Sequence, residues 1–102
     1  MKYKIVRTDK ANDQFRDLAF YIARNNSVEA ALGYLDKLET AILRLSEFPY
    51  SGVVPHYSTL KKQGYRVLIV ERHLLFYKVD DAQQVVIIYA VADGRMEYRN
   101  LL

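Results

Sequence analysis

The chain has 102 residues, 51% of them hydrophobic and nine of them tyrosine, which suits one folded domain over residues 1–102 and argues against disorder. It contains no cysteine, which excludes a disulfide framework and a thiolate metal site. The net charge of +3 is spread evenly, with eight Lys/Arg against seven Asp/Glu up to Leu60 and seven against five beyond it, so any basic patch has to be made by folding.

The opening residues MKYKIVRTDKANDQ lack the apolar core of a signal peptide. No run approaches the roughly 18–20 apolar residues of a membrane span. The expectation is a cytoplasmic protein with no membrane partner.

Lys2–Arg7 alternates weakly and reads as a short strand, its lysines suited to an edge. Thr8 or Asp9 caps a helix whose apolar residues Ala11, Phe15, Leu18, Ala19 and Ile22 fall on one face. Asn25-Asn26 stops it. Ser27 caps a second helix with the stripe Val28, Ala31, Leu35, Leu38, Ile42 and Leu45, ended at Phe48-Pro49 because proline cannot donate and restricts its predecessor. So short a link makes the two helices, over Asp9–Glu47, an antiparallel hairpin. Tyr50–Gly64 is a long loop with a turn near Ser58–Lys62.

Three apolar runs follow: Tyr65–Val70, His73–Val79 and Val85–Val91. The breaks between them are too short for a parallel crossover, so they form an antiparallel meander. The predicted fold is α+β: a two-layer βααβββ arrangement with the helix hairpin on one face of a mostly antiparallel four-stranded sheet.

No phosphate-binding glycine loop and no HExxH motif is present. The two histidines, His56 and His73, lack the spacing of metal ligands, so no metal or cofactor is expected. His73 opens a strand and is a candidate proton shuttle at neutral pH. Arg66 interrupts an apolar strand and must find water or an acceptor. Alternation groups it with Leu68 and Val70. Arg95 follows the last strand, and it is expected near the same end of the sheet as Arg66. Two guanidiniums there would reach one anion. On residue types alone, structural ion pairs with Asp93 or Glu97 are the favoured reading of the same residues. Tyr77 and Tyr89 read as packing, and Lys61-Lys62 as a solvated pair.

Five segments carry a resemblance over nearly the whole chain: AFYIARNN (Ala19–Asn26), LSEFPYSG (Leu45–Gly52), GYRVLIV (Gly64–Val70), HLLFYKVDD (His73–Asp81) and VVIIYAVADGRMEY (Val85–Tyr98). In this order they resemble the RelE/ParE superfamily of bacterial toxins from type II toxin–antitoxin systems. The resemblance implies a growth-inhibiting toxin neutralised by a cognate antitoxin protein. RelE-like members cleave mRNA on the ribosome; ParE-like members poison DNA gyrase. Arg66 matches the first basic residue of the RelE second strand, Arg95 the arginine after the last strand, and Tyr98 stands for the C-terminal aromatic. Where cleaving members carry further basic residues this chain has Leu68 and His73-Leu74. The catalytic set implied by the resemblance is therefore Arg66, Arg95, Tyr98 and His73. That thinned set favours a ParE-like inhibitor of gyrase or another protein over the ribosome-dependent endonuclease. A homologue kept only for antitoxin binding is the third reading. The far face of the sheet, carrying Arg66, is the expected working surface.

Overall fold

The computed structural model describes residues 2–95. The elements are β1 (Lys4–Arg7), α1 (Asp9–Asn25), α2 (Val28–Arg44), α3 (Ser58–Lys62), β2 (Arg66–Val70), β3 (His73–Asp80) and β4 (Val85–Asp93). The sheet order is β1-β4-β3-β2. β1 runs parallel to β4, and the other two pairings are antiparallel. This is the predicted α+β fold, with α3 at the predicted turn in the long loop.

Both long helices start where a hydroxyl can satisfy an orphan N–H. Thr8 is extended, and its Oγ1 accepts from the Ala11 N–H at 3.1 Å. Ser27 does the same for Ala30 at 2.9 Å. Each cap is worth about 1 kcal/mol. Asp9 and Glu29 in the first turns and Arg24 and Arg44 in the last turns match the helix dipoles. α2 ends at Arg44, earlier than the proline requires. Leu45 and Ser46 tighten into i→i−3 bonds to Ile42 and Leu43 before Phe48-Pro49.

The helix hairpin buries Ala11, Phe15, Leu38, Ile42 and Leu45 against Leu75, Tyr77, Val86, Ile88 and Val91 of the sheet. The opposite face is not bare. Leu60 of α3 and Tyr65 cover Val67, Phe76, Ala90 and Ala92 there, and Val53 forms an isolated bridge with Val67. The long loop is therefore a second, smaller cover, needed because β3 and β4 carry apolar residues on both faces. Pairing shifts between Phe76 and Tyr77, leaving Tyr89 as the extra residue of a bulge. α1 holds the bulge: Thr8 Oγ1 donates to the Tyr89 carbonyl at 3.2 Å, and Gln14 Oε1 accepts from the Val91 N–H at 2.9 Å.

Candidate functional site

Arg66 shares its face with Leu68 and Val70, and those two pack against the helix-covered core. The expectation that Arg66 marks the open face is thereby corrected. Alternation sorts side chains into two sets but does not say which set the helices cover. The guanidinium turns to the loop: Nη2 donates to the carbonyls of Tyr50 at 3.0 Å and Gly52 at 2.6 Å. It lies 5.3 Å from the Tyr50 ring centroid, and its Nε is buried without a partner. The same loop is pinned from below, where the Gly52 N–H donates to Tyr77 Oη at 2.9 Å. Arg66 thus ties the 50–52 loop to the sheet.

Arg95 lies at the other end. Arg66 pairs with Tyr77, and Tyr77 with Ile88, so Arg95 is seven residues further along, about 20 Å at the usual strand rise. The expected juxtaposition fails for a directional reason. In a meander the first and third strands run the same way, so the start of one and the end of the other are at opposite ends. Arg95 is engaged locally, as the structural ion-pair reading has it. Its Nε and Nη2 donate to the two Asp93 carboxylate oxygens at 3.1 and 2.9 Å, and its own N–H donates to Asp93 Oδ1 at 2.9 Å. These bonds hold the Asp93 carboxyl far below the usual carboxylate range and raise Arg95. Arg72 Nε also lies 4.0 Å from Asp93 Oδ2.

His73 is at this second end, in an interior strand and not at a sheet edge. It is 7% exposed, on the same face as Leu75 and Tyr77, and pairs with Val70 and Asp93. Its Nδ1 is 2.6 Å from Tyr34 Oη, and the rings tilt at 5.2 Å. Burial lowers the His73 pKa, and the Asp93 charge partly opposes this. Burial likewise raises Tyr34. Tyr34 Oη also lies 3.2 Å from the Val70 carbonyl, so its single proton serves one acceptor at a time. Around this pair opens a cleft of about 1440 Å³ between the helix hairpin and the ends of β3 and β4. Arg72, Asp93, Arg95, Tyr21 and Arg24 line its rim. It brings His73 and Arg95 together and excludes Arg66. Tyr98 lies outside the described residues.

Tyr34 and Arg72 were missed from sequence. Arg72 had a legible signal, since the Glu71-Arg72 turn must lie beside the end of β4 in any meander. Tyr34 had one as well, since it lies three residues after Ala31 and four before Leu38, on the apolar face of α2. On the far face, Lys78 sits 4.4 Å from the Tyr65 ring centroid and 5.4 Å from that of Tyr89. That is a cation–π arrangement built partly by the bulge. Among the described residues no group of three or more His, Asp or Glu is placed to hold a metal, and no helix is long and apolar enough to cross a membrane.

The fold has close relatives in shape. A protein of the chromosomal ParDE system from P. aeruginosa superposes with a TM-score of 0.74, over 90% of this chain and 96% of that one, at 14% identity. A chain of the toxin–antitoxin complex RelBE2 from Mycobacterium tuberculosis gives 0.64, over 91% and 99%, at 22% identity. No curated protein sequence is significantly similar. The profile of the family described as the ParE toxin of the type II toxin–antitoxin system parDE matches residues 5–98. The two solved structures carry the fold, and the profile, spanning nearly the whole sequence, carries the family: the chain belongs to the ParE toxins of type II toxin–antitoxin systems.

Proposed function

We propose that the chain inhibits growth by binding a protein target, DNA gyrase first among them, and that a cognate antitoxin neutralises it. The observation that carries this reading is the separation of Arg66 from Arg95 by about 20 Å along the sheet, each already engaged within the chain. Cleavage of RNA by 2′-OH attack needs a base, an acid and positive charge converging on one phosphate. Arg66 serves a loop and Arg95 is neutralised by Asp93, so neither is a free clamp.

The second reading, a ribosome-dependent mRNA endonuclease, draws on the end cleft. There His73, its pKa lowered by burial, lies with Arg72 and Arg95. It would need His73 to leave Tyr34 and Arg95 to leave Asp93.

Expression without antitoxin, followed by gyrase supercoiling and ribosome-dependent mRNA cleavage assays side by side, separates the two. The expected result is inhibited supercoiling with intact messages. Cleavage that disappears in Arg95→Ala would overturn it. Absence of toxicity in every host would favour a chain retained only for antitoxin binding.

A further inference from the structure

One polar atom of the end cleft is left without a partner. His73 lines the cleft and is 7% exposed. Its Nδ1 is engaged by Tyr34 Oη at 2.6 Å. The same hydroxyl is 3.2 Å from the Val70 carbonyl, beyond the usual O–H···O range, so its proton goes to Nδ1. The ring's own proton is then on Nε2. Among the described residues Nε2 has no hydrogen-bond partner, and the side-chain atom fully enclosed without one is Arg66 Nε. Nε2–H therefore opens on the cleft as a donor, with Tyr34 fixing its tautomer.

The charges around this donor favour an anion. Three carboxylates line the cleft, and two are already neutralised. Asp93 is held by two nitrogens of Arg95, and Glu71 by Lys37 at 2.9 Å. Asp17 is the third. Against it stand Arg72 and Arg24. Arg72 Nε is 4.0 Å from Asp93 Oδ2, an oxygen that Arg95 Nη2 already holds at 2.9 Å. Arg24 has no ion pair among the described residues. Two guanidiniums against one carboxylate leave the cleft positive. Donors come from three elements: His73 of β3, Arg72 of the turn before it and Arg24 of α1. Three donors match the three terminal oxygens of a phosphate monoester, where a carboxylate offers two.

The cleft is larger than an ion needs. Its volume of about 1440 Å³ is that of a small-molecule site. Leu18, Ile22, Val91 and Ala92 give it an apolar wall, and Tyr21 stands at its rim, 53% exposed. An exposed tyrosine ring beside a phosphate-binding set suits a planar base.

We propose that the end cleft binds a nucleoside monophosphate, its phosphate on His73 Nε2–H, Arg72 and Arg24 and its base against Tyr21. Binding requires neither His73 to leave Tyr34 nor Arg95 to leave Asp93. It holds whichever target the toxin has.

The test uses the full chain, made by cell-free synthesis with isotope-labelled histidine, so that NMR sees only His56 and His73. The chain is titrated at neutral pH with adenosine monophosphate, adenosine and inorganic phosphate. Adenosine monophosphate is expected to move the His73 Nε2 resonance to saturation, with a Kd below about 1 mM, and to leave His56 in place. Adenosine and inorganic phosphate, each lacking one half of the contacts, should bind about tenfold more weakly. Arg72→Gln should weaken the nucleotide and inorganic phosphate about tenfold. Tyr21→Ala should weaken the nucleotide about tenfold and leave inorganic phosphate unchanged. Lys62→Gln removes an exposed cation outside the cleft and should change neither. Circular dichroism checks that each variant remains folded. A His73 resonance that stays still at about 10 mM nucleotide, well above that Kd, overturns the proposal. So does equal movement of His56, or a loss in Lys62→Gln as large as in Arg72→Gln, since either marks general attraction of anions to a basic chain. Inorganic phosphate binding as tightly as the nucleotide overturns the assignment to a nucleotide.

Discussion

Gly52 is the glycine with the least room for a methyl group. A Cβ there would lie 2.6 Å from the Val67 carbonyl and 2.5 Å from Tyr77 Oη, both fixed by the sheet core. Gly52→Ala is expected to cost about 1–3 kcal/mol, the usual range for overpacking, read as a lower urea midpoint with an unchanged slope. Arg66 meets the same loop from above. Arg66→Met removes two charge-assisted bonds but also an unpartnered buried Nε, so a net loss of about 2 kcal/mol follows. If Arg66 has only this structural role, toxicity in Arg66→Met should track the folded fraction. His73 gives a pH signature. Its native pKa is held below the ordinary 6.5, so below that pH the unfolded chain binds a proton that the folded chain resists. Stability is then full above the unfolded pKa and declines as pH falls through it. Urea unfolding at pH 7.5 and 5.5 should show the decline, and His73→Gln should flatten it. Asp93 acts lower on the scale. Its depressed pKa contributes stability above 3.8, lost as pH falls below that value.

At the level of elements, Ser27 starts α2 with one hydroxyl. Ser27→Ala should lower stability by about 1 kcal/mol without altering the fold, measurable by thermal melting followed by circular dichroism. The Ser27 cap, both helices and all three meander strands were legible in the sequence, and the first cap was narrowed to Thr8 or Asp9, because hydroxyl caps, a 3.6-residue period and short polar breaks are local signals. What was not legible is relational. Nothing in KIVR says that β1 lies beside β4 and parallel to it. The alternation of Arg66 with Leu68 and Val70 was read correctly, but the covered face was not, since Phe76 and Ala90 make the other face just as apolar. The site suffered most. Arg66 and Arg95 were paired by a direction error, and the Tyr34–His73 contact joins residues 39 apart that no local pattern connects.

For the whole molecule, the sheet's ends differ in chemistry. One end, at Arg66 and Asp81, is tied down: the hydroxyls of Tyr3 and Tyr50 both donate to Asp81. The other opens as the polar cleft around His73 and Arg95. If target binding uses the cleft end, Arg72→Glu should reduce gyrase inhibition at least tenfold while Tyr50→Phe leaves it unchanged. Supercoiling assays with both variants test this.

The parallel pairing of β1 with β4 carries a consequence for the order of events during synthesis. The first strand waits for the last: Lys4 finds its partner only when Val85 has been made. Until then β1 has no neighbour in the sheet, and the bulge that Thr8 and Gln14 hold does not exist. Such long-range closure is slow compared with helix or hairpin formation. A chain emerging from the ribosome therefore passes most of its synthesis without its complete sheet. The finished sheet, with β1 closed onto β4, appears only near the end of synthesis.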